Sequence, residues 1–515
     1  MRRFLPLLGT LGLVAPAHAQ LSDAHWLETF LVPGVHGGYG FYSVTALERD
    51  GADLYAGGDF EVVDDTRAPR VAHWDGEAWH ALGGGVRGSY YPADNSTVHA
   101  LLPEPGEALV VGGLFLRAVQ PDGDTLSVPG VARWTGTTWE GLGRGLRDTN
   151  PSSFNQPFVF ALAREASGAV VVGGQFNRAV NPDGTEVPAG NLARWNGAAW
   201  EAIGTVGGRV YALAVGPEGA IYVGGAINGI TSADGTPTAG RGLFRYHNGT
   251  WSLVGGGVGG QYDAVRALAF VGSDLYVGGS FGQVRQPDGT PLAAGHFARW
   301  TGTAWQSVGG ASGEIHDLDA DGEGGVWVGG AFGQVGGQPS MFLARWTGTA
   351  WEPTAPRIWT DDPSPSQTVH AVVADGADAA VAGGQFPYVE LDVATRAGFP
   401  VQGLVRYAAG TWMPFGGAGQ GDGLGALRPR VRALAACGGD VIAGGHFLWV
   451  GPHLSRSLAR WEGADWVPLG TALRSPLLDS WSYAEVGAIA PAPDCATSGA
   501  FYIGGFFAGA GSVNS

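Results

Sequence analysis

The chain has 515 residues, among them 90 Gly, 19 Trp and 22 Phe, and all 29 of its Lys-or-Arg positions are Arg. So many aromatic residues exclude a disordered chain, and glycines without a three-residue period exclude a collagen-like one. A net charge of −17 at pH 7 argues against nucleic acid or an anionic membrane as partner.

Met1-Arg2-Arg3 is a short basic segment, Phe4 to Pro16 is an apolar stretch, and Ala17-His18-Ala19 has the form of a cleavage site. Residues 1–19 are therefore expected to be an export signal, with the mature chain starting at Gln20. No later run of about 18 apolar residues follows, so no membrane insertion is expected. The destination is then secreted, periplasmic or cell-surface.

From Val44 onward one phrase recurs: V-x-A-L, an apolar run ending in Gly-Gly, then L-A-R-W-x-G-x-x-W. It is complete at Val265-Arg266-Ala267-Leu268, Leu275 to Phe281, and Phe297 to Trp305. The second glycine of the pair falls at 58, 113, 174, 225, 279, 330, 384, 445 and 505, nine copies about 56 residues apart. The apolar runs are short, rich in Val, Tyr, Phe and Trp, and bounded by Gly, which predicts strands rather than helices. The W-x-G-x-x-W segment predicts a hairpin whose glycine takes the positive φ of the turn. Each repeat is thus four antiparallel strands: a (V-x-A-L), b (to Gly-Gly), c (to the first Trp) and d (from the second Trp).

A four-stranded sheet buries both faces only when others stack on it. The expected fold is all-β: one β-propeller over residues 20–515, with nine four-stranded blades closed into a single ring. The last copy stops after Phe501 to Phe507, while His25-Trp26 precedes the first V-T-A-L. Trp26 would then supply the missing strand of a split ninth blade and hide two sheet edges. Fourteen of the 19 Trp occupy the two hairpin positions, which predicts inter-blade packing for them. The Gly-Gly pair predicts close approach of an aromatic side chain from the neighbouring blade.

These residues resemble the kelch-type propeller repeat, in which an apolar strand also runs into Gly-Gly, followed by an aromatic and then a Trp. Tyr246 to Trp251 and Tyr407 to Trp412 come nearest to it. The repeats are also similar to the Gly-Gly-Phe propellers of fungal cortical marker proteins and of exported bacterial proteins. The resemblance spans nearly all of residues 20–515 and implies the fold, not an activity. Kelch-type copper oxidases carry a Tyr–Cys crosslink with His ligands. No Tyr/His set surrounds Cys437 or Cys495, and that activity is not carried over.

Candidate sites follow from position in the repeat. Strand a is innermost, and its variable second residue yields a ring at the channel mouth: His99, Tyr211, Arg266, His316, His370 and Arg432, with Thr45 and Phe160 at the same position. Length variation is concentrated in the b–c and d–a connections, which share one face. Loop aromatics there, Tyr90, Tyr91, Trp359, Trp449, Trp481 and Tyr483, suit a sugar face or a protein partner. The Pro-Asp-Gly segments at 121, 182 and 287 predict type I turns. Asp317, Asp319 and Asp321 before Gly322 form D-x-D-x-D-G, similar to calcium-binding loops. No cofactor is otherwise expected. His99 on blade two and His316 and His370 on blades six and seven of a wide ring would not all reach one ion. Cys437 and Cys495, the only cysteines, are expected to form a disulfide in an exported chain.

The features favour a monomeric binding or interaction protein that presents its loop-rich face to a glycan or protein partner. An extracellular polysaccharide lyase or hydrolase with its site at the channel mouth is the alternative. It would need an acid/base set, for which His316, Arg266, His370 and Asp317 are the candidates. A purely structural surface protein is the third reading.

Overall fold

The computed structural model describes the strands of all nine repeats and most connections of the first six. Residues 1–34, 37–43, 89–95, 151–155, 360–367, 415–423, 475–484 and 492–500 are the main stretches outside it. Beyond Pro414 it describes backbone strands with few side chains. Among the described residues there is no helix, and none is therefore long and apolar enough to cross a membrane.

Each of the first eight repeats contains four antiparallel strands in the order a-b-c-d, and in blade four Pro237–Ala239 joins the same sheet by pairing with strand b. In blade one the strands are Val44–Asp50, Asp53–Gly58, Val71–Trp74 and Trp79–Ala81. The ninth repeat contributes Glu485–Pro491 and Phe501–Phe506, strands a and b. The fold is a β-propeller.

The blades are joined by one contact repeated around the ring. In the first seven repeats the first glycine of the Gly-Gly pair receives the Val or Ile that opens V-x-A-L in the neighbouring blade. A Cβ placed at Gly112, Gly173, Gly224 or Gly278 would fall 2.5 Å from a methyl of Val159, Val210, Val265 or Ile315 respectively. Any side chain there would force the blades apart. The partner is a β-branched aliphatic rather than the aromatic expected. This explains why the first of the pair is Gly and why V-x-A-L opens on Val or Ile; the second glycine lies against the backbone of strand a in its own blade, as Gly113 does against Thr97 O.

Following this contact around the molecule corrects the expected blade number. Gly57 meets Val98, Gly329 meets Val369, and Gly383 of blade seven meets Val44 of blade one. Strand a of blade seven (Thr368–Ala374) packs on strand a of blade one, and Val44 and Leu47 share a core with Ala371, Val373 and Val381. The ring therefore contains seven blades. The eighth and ninth repeats lie outside it and pack on each other through Arg430–Cys437 and Glu485–Pro491. Every repeat offers the same glycine and the same Val or Ile, so neighbour packing does not encode the number of blades. The splay of each blade decides how many fit.

The hairpin tryptophans lock this packing. Trp139, Trp200 and Trp251 donate their indole N–H to the carbonyls of Leu82, Leu142 and Ile203 in the preceding blade, at 2.9–3.0 Å. Each of these indoles tilts against the ring that begins its own hairpin, as in Trp134 and Trp139 with centres 5.4 Å apart.

The b–c connections are not irregular loops. Each forms a β-arm that pairs with the segment preceding strand a of the same blade. In blade two the arm is Val86–Arg87, Arg117–Val119 and Thr125–Ser127. Pro121-Asp122-Gly123 turns its tip: the Gly123 N–H donates to Gln120 O at 3.0 Å with φ at +93°. Val35–His36 pairs with Val62–Val63 in the arm of blade one, not with the ninth repeat. Trp26, proposed above as the closing strand, lies outside the described residues.

Candidate functional site at the channel mouth

Strand a is antiparallel to strand b, but the register slips at the V-x-A segment in every copy. In blade one Val44 pairs Gly58 and Ala46 pairs Gly57, which leaves Thr45 as an extra, unpaired residue. The same bulge leaves over His99, Phe160, Tyr211, Arg266, His316 and His370. These are the variable second positions of V-x-A-L. A bulge re-aims one side chain while its neighbours keep their pairing. It releases this position from the blade–blade contact and turns it to the axis. That is the physical reason it varies while the flanking Val and Ala do not.

Seven bulges, one per blade, surround a cavity of about 690 Å³. Of the six ring candidates, it brings together His99, Tyr211, Arg266, His316 and His370, with Thr45 and Phe160 beside them. Arg432 belongs to the eighth repeat, outside the ring, and its side chain is outside the described residues. The same holds for the loop aromatics. Tyr90, Tyr91, Trp481 and Tyr483 are undescribed, while Trp359 and Trp449 are described only as arm strands, opposite Tyr388 and Gly425.

The cavity has two unlike walls. On blades two to four His99, Phe160 and Tyr211 form an aromatic row, with ring centres 5.5 and 5.2 Å apart. Opposite them lie polar groups from blades five, six, seven and one. The Arg266 guanidinium stands 5.4 Å from the Tyr211 ring centre and 3.3 Å from the Glu314 carboxylate. Glu314 also lies 3.5 Å from His316 Nε2. The His316 and His370 rings are parallel within 9°, and their Nδ1 atoms are 3.3 Å apart. Burial lowers the pKa of both His99 and His370 to about 4, and neighbouring positive charge adds to the effect at His370.

Deeper in the channel are three carboxyls, Glu48, Asp317 and Asp319. Asp317 accepts a hydrogen bond from the Val372 N–H and Asp319 from the Ala374 N–H, both at 2.8 Å. They thereby satisfy amides on the inner edge of the next blade. Glu48 faces open channel space and is exposed there. Desolvation by the surrounding channel wall, then the charges of Asp319 and Asp317, push its pKa well above the usual carboxylate value. Burial likewise pushes Asp317 to about 7 and Asp319 to about 6. Sequence reasoning passed over Glu48 and Glu314. A signal for Glu48 existed: the residue after V-x-A-L is Leu, Ala or Val in the other ring blades and acidic only at Glu48 and Asp319.

The D-x-D-x-D-G segment does not form the calcium loop its spacing suggested. Asp317 and Asp319 lie on strand a (Ile315–Ala320) and are directed to blade seven. Asp321 instead binds the guanidinium of Arg345 and the amides of Glu323 and Gly325 at 2.7 and 2.8 Å. It is the blade-six copy of a repeated pair, in which the Arg of L-A-R-W meets an acid at the a–b turn. The others are Arg133–Glu104, Arg194–Glu165, Arg245–Glu218, Arg299–Asp274 and Arg406–Asp375. Each carboxylate is thus committed to a separate partner. Among the described residues no group of three or more His, Cys, Asp or Glu is placed to hold a metal ion.

No family model matches the chain, and no curated protein matches it. Solved structures similar to it include the computationally designed Ika8 protein, 15% identical over 84% of this chain and 99% of that one, with a TM-score of 0.40. An ancestral GH74 enzyme is 13% identical over 90% of this chain and 66% of that one, with a TM-score of 0.41. The WD40 β-propeller domain of Doa1 is 12% identical over 69% of this chain and 93% of that one, with a TM-score of 0.37.

Proposed function

We propose that the chain is an exported β-propeller that binds a glycan on the arm-bearing face, with the bulged ring as its innermost contact. The observation that carries this reading is the two-walled cavity. An aromatic row offers flat apolar surface to the C–H face of a sugar. Arg266, Glu314 and His316 opposite offer both donors and acceptors to hydroxyls. Such a mix of apolar lining and few convergent polar groups characterises small-ligand sites. Export rests on residues 1–19, and N-terminal sequencing of the secreted protein should begin at Gln20. A glycan-binding screen run beside a polysaccharide-degradation assay tests the reading. Binding without degradation supports it, and a blank screen sinks it in favour of a protein partner or a structural role.

A second reading, an enzyme acting on extracellular polysaccharide, is favoured by one observation. Glu48, Asp317 and Asp319 lie together along a ligand-sized channel, where desolvation shifts their pKa values upward, the direction a general acid needs. Degradation lost in Glu48→Gln, with binding kept, would establish it.

A further inference from the structure

We propose that His316 and His370 together bind one divalent transition-metal ion on the channel wall, with Glu314 as the positioning residue. Zinc is the probe of choice because it accepts imidazole nitrogen readily.

Three observations carry this. First, the two rings come from the bulged positions of adjacent blades, and their Nδ1 atoms are 3.3 Å apart. Two nitrogens bound at ~2.0–2.1 Å to a tetrahedral zinc ion stand about 3.3 Å from each other. The separation is that of an Nδ1···Nδ1 hydrogen bond in the metal-free chain, and it equals the bite of one ion that would replace the shared proton. Second, His316 presents its opposite nitrogen, Nε2, to the Glu314 carboxylate at 3.5 Å. A proton held on Nε2 by that carboxylate leaves Nδ1 with its lone pair directed towards His370. Metal-bound histidines ordinarily have such a carboxylate behind them, which fixes the tautomer and ring orientation. Third, both histidines line the cavity, so two protein ligands leave coordination positions open to water or to a ligand hydroxyl.

Blades six and seven are neighbours in a ring of any size, and the bulge in each strand a turns both residues to the axis. The Arg266 charge nearby is offset by its ion pair with Glu314. Thr368 Oγ1 lies 3.2 Å from His316 Nδ1 and donates its proton to the Val369 carbonyl at 3.3 Å.

The test uses the full mature chain, stripped with a chelator and titrated with zinc by calorimetry. Cobalt(II) absorption serves as a second readout of the ligand set. One ion per chain is expected, weakened at least tenfold in His316→Ala and in His370→Ala. Glu314→Gln should keep the stoichiometry and weaken binding by about tenfold. Circular dichroism and thermal melting check folding, and His370→Gln replaces His370→Ala if the latter melts early. Absence of micromolar zinc binding by the wild type overturns the proposal. So does an unchanged isotherm in the folded double variant, which would place the ion elsewhere, for instance at His80 and Asp75, 2.7 Å apart. Zinc binding is measured without any glycan, so its failure and that of the glycan reading are told apart.

Discussion

Gly383 of the seventh blade takes the side chain of Val44, from the first blade, directly against its backbone. This contact completes the ring and excludes the last two repeats from it. A methyl at Gly383 would overlap Val44, and overpacking of this kind costs ~1–3 kcal/mol. Gly383→Ala should therefore lower the melting temperature measurably. Gly504→Ala, at the glycine that a nine-bladed ring would press on Val44, should leave this seam intact. A chain ending at residue 414 should still unfold cooperatively, and loss of cooperativity on that truncation would refute the seven-bladed ring.

Asp321 is fully buried and Arg345 nearly so. Removing one partner of such a pair strands the other charge, at a cost of ~3–5 kcal/mol. Arg345→Ala should be among the most destabilising surface-distal substitutions when followed by chemical denaturation. Arg345 and the turn amides hold the Asp321 pKa below its ordinary value. Its contribution is present above the unfolded pKa, about 3.9, and is lost as pH falls through the lower folded value. Acid unfolding of Asp321→Asn should accordingly be shallower than that of the wild type. Calcium should shift neither melting curve.

Glu48 has the opposite sign. Its folded pKa is raised, so its contribution is fully present below the unfolded pKa, about 4.3. That contribution is lost as pH rises through the folded value. Glu48→Gln should melt higher than the wild type at pH 8 and equal to it near pH 4. A variant that is less stable at pH 8 would show that Glu48 is paired there.

Phe160 and Tyr211 supply the aromatic wall, touching neighbouring blades only through ring contacts that face the channel. Phe160→Ala and Tyr211→Ala should weaken glycan binding by about tenfold or more, as expected for central aromatic contacts, while the melting temperature changes little. An unchanged affinity would move the site from the ring to the arms.

The expected Cys437–Cys495 disulfide involves a residue outside the described structure, but the strands beside it are informative. Strand a of repeat eight ends at Cys437 and packs on strand a of repeat nine. Mass spectrometry of exported protein should find the oxidised pair, and two free thiols would rule it out.

Local sequence was sufficient wherever a residue acts within its own repeat. The Gly of W-x-G-x-x-W, the Pro-Asp-Gly turns and the alternation of V-x-A-L each specify geometry over a few residues, so strands a to d and the variable ring position were legible. Two things depended on residues far apart in the chain. The blade number is set by the angle between sheets, which places Val44 against Gly383, and nine equivalent repeats say nothing about that angle. The channel chemistry is set by which bulged residues become neighbours around the axis. That is why His316 and His370 meet, why Glu48 gathers with Asp317 and Asp319, and why Asp321 leaves them for Arg345. The repeat determined what each blade is, and packing around a common axis determined what the blades hold between them.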